Sequence, residues 1–308
     1  MMLSSNQPKS PSSTKLKIAA VLIFVLSAIS AVALSLINSM YMGENYLYEN
    51  GAPTLVLPIL AALALVLAIV GARFVKRDDY SASEIPSDKT SVTYMLSLFF
   101  VALFLAIFVL YVMFGTFDIG YGQSISGNAD LMEKLETLKL FYQIMIILTP
   151  LAPVYFVISA FKGKTSAFFG SVTLLWILAY ILRLYFDITD WVMSPRKLSV
   201  ICAMCLAALF FLYEIRFSFA RGNVRRYFFM AALTTVFCFS AGTAGVVSSV
   251  LGVYPSSFEL PYYAVAFAIG LYSGIRLYSV AFAGCEAEEI EEIEEAEEVE
   301  ATEGAEKE

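Results

Sequence analysis

Apolar residues fall into eight runs of about twenty, at 18–38, 53–75, 91–114, 138–160, 166–186, 196–219, 226–250 and 260–283, joined by short polar connections. A hydrocarbon layer about 30 Å thick is crossed by about 20 helical residues. Period-two alternation, the mark of a membrane β-barrel strand, is absent. Backbone N–H and C=O groups in hydrocarbon must bond within their own segment, so each run is predicted to be a helix. The expected fold is an all-α, polytopic integral membrane bundle of eight transmembrane helices.

The cations set its orientation. Lys9, Lys15 and Lys17 precede the first span, and Arg73, Lys76, Arg77 and Lys89 lie between spans two and three. Lys162 and Lys164 separate four from five; Arg216, Arg221, Arg225 and Arg226 cluster between six and seven. The opposite connections hold Lys134, Lys139, Arg196 and Lys197, with Arg183 near a helix end. The positive-inside rule then places both termini in the cytoplasm, and the cell membrane is the expected location. One alternative is open. Lys15 and Lys17, the run Ile18–Ser30 and the triplet Ala31-Val32-Ala33 have the form of a cleavable signal peptide, although the run stays apolar to Ile37 as in an uncleaved anchor. Ser194-Pro195 reads as an N-cap and first-turn proline for span six, and Pro261 sits similarly at span eight. Ser81 and Glu84 have capping-box spacing, and Asn128 is a candidate cap ahead of span four.

Composition agrees: 59% of 308 residues are hydrophobic and only 15% charged, against about 25% charged in soluble domains. The net charge of −7 conceals a division. Residues 285–308 hold thirteen glutamates and one lysine, while the remainder is mildly basic. Three parts follow: a cytoplasmic segment 1–17, the membrane domain 18–284, and an acidic tail 285–308. In the tail Ile290, Ile293, Ala296 and Val299 recur every three residues, a spacing that drifts around a helix. Self-repulsion favours a disordered or frayed segment, either a plain solvated terminus or a tether for a basic cytoplasmic protein. The other expected partner is membrane lipid; nucleic acid is not expected, and the oligomeric state is open.

No histidine occurs, which removes the usual zinc ligands and histidine-based triads. Cys202 and Cys205 form a CxxC, but within an apolar run rather than at the start of a helix beside a βαβ pattern. They are expected to pack as small buried hydrophobes. No cofactor and no metal site is expected.

Four internal features stand out. Span seven carries Ala241, Gly245 and Ser249, and span eight Ala266, Gly270 and Gly274, each at four-residue spacing. Small residues allow close helix approach in lipid, so these spans are expected to pack together. Pro150 and Pro153 interrupt span four; mid-helix prolines remove backbone bonds and bend or break a helix. Such a break is either a structural kink or an exposed binding site. Glu214 and Arg276 are ionisable groups inside membrane runs, a default functional signal. Glu214 follows Leu198, and Arg276 follows Leu260, by the same sixteen residues along parallel spans, about 24 Å down, so an interhelical ion pair is expected. Arg183, Asp187 and Asp190 read as a charge cluster at the outer interface. With no catalytic constellation in view, the leading expectation is a non-enzymatic role in binding, sensing or assembly within the bilayer. Transport of a small solute or ion is the alternative, and an intramembrane enzyme the third.

Overall fold

The computed structural model describes residues 14–43, 47–48, 51–75, 91–114, 129–162, 166–186, 194–253 and 259–282. These form nine α-helices: α1 Thr14–Tyr41, α2 Ala52–Phe74, α3 Ser91–Phe114, α4 Ala129–Leu148, α5 Ala152–Lys162, α6 Ala167–Phe186, α7 Pro195–Ser218, α8 Val224–Val250 and α9 Leu260–Phe282. No strand occurs among the described residues, only an isolated bridge between Met42 and Tyr48. Eight helical segments are long and apolar enough to cross a membrane, α4 and α5 together making the fourth. This is the architecture of a multi-pass membrane protein. The acidic tail, Ser81, Glu84, Asn128, Asp187 and Asp190 lie outside the described residues.

Local chemistry sets the helix ends. The Ser194 side chain accepts from the Lys197 backbone N–H at 3.3 Å, with Pro195 opening α7. Asn223 caps α8, accepting from Arg226 N–H at 3.1 Å. α7 stops where Ala220 turns left-handed at φ 53°, and Arg221 N–H returns to Arg216 C=O at 3.0 Å. α8 stops at Gly252, φ 73°, a conformation glycine adopts at no steric cost.

α8 and α9 are the innermost spans: 72% of the most apolar window of each is buried, against 22% for α2 and 33% for α3. The peripheral pair therefore presents most of its surface to lipid. α1, α2 and α7 pack on α8, α6 on α7 and α4, and α3 on α5 and α9. Near one face, Lys15 lies over the Phe74 ring and Lys17 over the Phe282 ring, at 5.8 and 5.6 Å. This face, where α1 begins and α2 and α9 end, is termed the terminal face. Cys202 and Cys205 do not pack inside as expected; both are exposed on α7, and among the described cysteines only Cys238 is buried. α7 fills its inner face with Ala203, Met204, Ala207 and Phe211, leaving the thiols on the outer one.

The α8–α9 contact depends on missing side chains. A Cβ at Gly242 would lie 2.3 Å from the Phe267 backbone nitrogen, and one at Gly270 2.5 Å from that of Phe239. At Gly245 it would enter the Tyr263 ring. Gly274 instead faces the Phe24 ring of α1 and Thr235. Ala266 is buried, Ser249 hydrogen-bonds back to the Gly245 carbonyl, and Ala241 faces a cavity between other helices. Gly242→Ala and Gly270→Ala should each cost about 1–3 kcal/mol through overpacking, read as a lowered melting temperature in detergent. Gly274→Ala should cost less, because a side-chain ring can give way where backbone cannot.

Candidate functional site

Glu214 of α7 is fully buried, roughly one turn from the helix end. Arg276 of α9 is 3% exposed and lies at a matching depth. Its Nε is 3.1 Å from Glu214 Oε1, so the structure brings these two residues together. Two tyrosines donate to the same oxygen: Tyr272 of α9 at 2.9 Å and Tyr227 of α8 at 3.4 Å. The Arg276 guanidinium also donates to the Tyr272 hydroxyl, at 3.1 Å from Nε and 2.9 Å from Nη2, and from Nη2 to Ser159 Oγ of α5. Four helices thus converge on one carboxylate–guanidinium pair. Phe100, Phe156, Phe210 and Phe211 all pack in ring contact with Tyr272, sealing the pair from the lipid.

The arrangement is uneven. Oε1 collects the donors, whereas Oε2 of Glu214 meets no donor at close hydrogen-bond geometry, with the hydroxyl of Tyr155 on α5 standing nearby. An unmatched carboxylate oxygen in low dielectric is costly. Chemically the cluster can hold a charge pair in place. It also sets the buried Tyr155 hydroxyl beside the less engaged carboxylate oxygen.

Pro150 and Pro153 do not touch this pair directly. They separate α4 from α5 by a turn at 149–151, and α5 supplies Ser159 and Tyr155. The break is braced from α6. Trp176 Nε1 donates to Thr149 Oγ1 at 3.0 Å, Thr149 donates to the Met145 carbonyl at 2.6 Å, and Thr173 donates to the Ala152 carbonyl at 3.0 Å. Side chains of a neighbouring helix thus brace the turn.

A second charged cluster lies near the opposite face. Arg183 Nη2 of α6 is 2.5 Å from Glu259 Oε1, just before α9, and Nε donates to the Tyr142 hydroxyl at 2.8 Å. The guanidinium stacks between the Tyr142 and Tyr262 rings, 4.9 Å from each centroid. Tyr262 continues inward as a stack with Tyr180 and Trp176. Asp187 and Asp190, which the sequence sets near Arg183, lie outside the described residues; Glu259 is 76 positions away and carries no local signal. The tyrosines and Ser159 were missed too. No pattern in an apolar run says which aromatic faces a charge.

No protein-family model, curated protein or solved structure matches this chain.

Removing one partner of a buried pair costs about 3–5 kcal/mol, because the other charge is left unmatched. Glu214→Leu and Arg276→Met should each lose that much, and the double variant should be more stable than either single one. Denaturation in mixed micelles measures this, and simple additivity of the two losses would contradict the coupling. Tyr272→Phe, which removes a hydrogen bond to each charge, should cost about 1.5–3 kcal/mol on the same assay.

Proposed function

We propose that this chain is a non-enzymatic protein of the cell membrane that binds, senses or assembles partners within the bilayer, with both termini in the cytoplasm. The observation that carries this reading is the closure of the charged interior. Glu214 and Arg276 are engaged with each other and with tyrosines from neighbouring helices, and Arg183 with Glu259. Ionisable groups used as internal braces leave the peripheral helices and the polar ends as the surfaces available to partners. The cytoplasmic placement rests on the cations: Lys15 and Lys17 mark the terminal face, and Arg216, Arg221, Arg225 and Arg226 join α7 to α8 there. The acidic residues 285–308 follow α9 at that face and suit a basic cytoplasmic protein.

A second reading, passage of a small solute or ion, has one specific observation in its favour. The buried carboxylate of Glu214 lies against Tyr155 of α5, the half-helix that follows the break in the fourth span, and transporters place binding sites at discontinuous helices.

Purification from native membrane of the full chain and of a variant lacking residues 285–308 tests the first reading. A protein that accompanies the full chain and is lost with the tail is the expected result. Solute flux in reconstituted liposomes, abolished by Glu214→Gln in a still-folded protein, would replace it with transport. Single-cysteine reporters at either terminus should be reachable only from the cytoplasmic side; reporters on opposite sides would break the topology.

A further inference from the structure

α8 and α9 run antiparallel in one-for-one register. Gly242 is set against Phe267, Phe239 against Gly270 and Thr235 against Gly274, so each step back along α8 is a step forward along α9. Continued to the end of α9, this register puts Phe282 level with Tyr227, the residue after Arg226. The chain therefore leaves α9 beside the first turn of α8, where Arg225 and Arg226 stand exposed.

That turn is the edge of a compact basic surface. Between α7 and α8 the chain reverses within a few residues: Arg221 N–H returns to the Arg216 carbonyl at 3.0 Å, and a Cβ at Gly222 would enter the Phe217 ring. The reversal gathers Arg216, Arg221, Arg225 and Arg226, all exposed, with Arg216 and Arg221 lining one recess beside Phe219. Nothing from 215 to 258 is acidic. Among the described residues one carboxylate lies toward this face, Glu214, and it is buried against Arg276. The other cations of the face are placed differently. Lys15 and Lys17 lie over aromatic rings, and the stretch 73–89 holds four acids beside its four cations.

We propose that this arginine surface is the docking site of the chain's own acidic residues 286–300. Those residues contain ten glutamates and no cation. Glu286 and Glu288 follow Phe282 by four and six residues, about 14–20 Å of extended chain, whereas packed helix axes stand about 8–10 Å apart. The arginines are therefore within reach from the first glutamates onward. A guanidinium takes a carboxylate through two parallel N–H···O bonds. One exposed pair is worth little, but tethering holds the glutamates at an effective concentration on the order of millimolar. Anionic headgroups are the rival occupant. An acidic segment is repelled by a leaflet of such lipids, which leaves the arginines as its resting place at this face. A basic protein that takes the tail has to displace these arginines, and the contact itself depends on no partner.

The test uses the full chain, one copy per phosphatidylcholine nanodisc. Phenylglyoxal modification of each arginine is timed by peptide mass spectrometry. Arg221, Arg225 and Arg226 should react about three- to tenfold faster in a variant lacking residues 285–308, the weight of a few exposed ion pairs. The unaltered chain should show the same rise at about 0.5 M salt, where screening shortens to a few ångströms. Arg73, at the end of α2 on the same face, should change little. A second arm places amines on the surface with Arg225→Lys and Arg226→Lys, which keep the charge. Carbodiimide then joins a glutamate carboxylate to a lysine amine as an amide, taking up the water lost. Adducts should link residues 286–300 to positions 225 and 226. Equal modification rates with and without the tail, or adducts confined to Lys15 and Lys17, overturn the proposal. So does protection that appears only in phosphatidylglycerol discs and is the same with and without the tail, which assigns the surface to lipid. Each of these results leaves the partner-binding reading standing, since co-purification judges that separately.

Discussion

A charge inside a hydrocarbon layer has to be matched where it stands, and the Glu214–Arg276 pair is where this bundle meets that condition. Desolvating two ions costs several kcal/mol each, and their attraction returns the cost only if the geometry is close and the remaining valences are filled. Here the geometry is close: Arg276 is met by Glu214, Tyr272 and Ser159, from α7, α9 and α5. Tyr227 adds α8. Sliding α9 along α7 by one turn, about 5.4 Å, would strand both charges. Apolar packing alone has no such preference, because lipid tails and leucine side chains are equally apolar. The pair therefore fixes axial register more than it adds net stability.

The second cluster applies the same constraint at the other end. Glu259, just before α9, is held by Arg183, so α9 is tied near both faces, with Arg276 towards one and Glu259 towards the other. Between these ties its path along α8 is set by contacts of another kind, Gly242 against the Phe267 backbone and Gly270 against that of Phe239. Polar groups set the height of α9; the glycines set its distance from α8. α2 and α3 have no comparable tie among the described contacts and keep most of their surface outside. The polar ties and close glycine contacts are thus concentrated along α7, α8 and α9.

How much of this could be read beforehand follows from what one dimension encodes. Helix rise is constant, so two residues at similar distances from the starts of parallel spans lie at similar depth; Glu214 and Arg276 were visible for that reason. The proline break was visible because proline lacks an N–H whatever surrounds it. Azimuth was not visible. In a soluble helix the polar stripe reveals which side faces in, but a helix between lipid and a packed core is apolar all round. Tyr227 and Tyr272 could not be told from Tyr278, which faces outward. The nearest acidic residue in sequence was a poor guide for Arg183, since Glu259 arrives from a separate span.

The broken fourth span shows how depth and azimuth come to be linked. In a continuous helix each residue turns about 100° from the last, so the direction faced by Ser159 would be fixed by that of Met145. The turn at 149–151 removes this dependence: α4 can follow α6 while α5 takes its own direction against α3 and α6. The hydrogen bonds from Trp176 and Thr173 hold the new direction. Tyr155, Phe156 and Ser159 share one side of α5 by helical spacing, and that side meets Tyr272 and Arg276. The prolines therefore act on the charged pair without touching it, by freeing the half-helix whose serine completes the guanidinium's contacts.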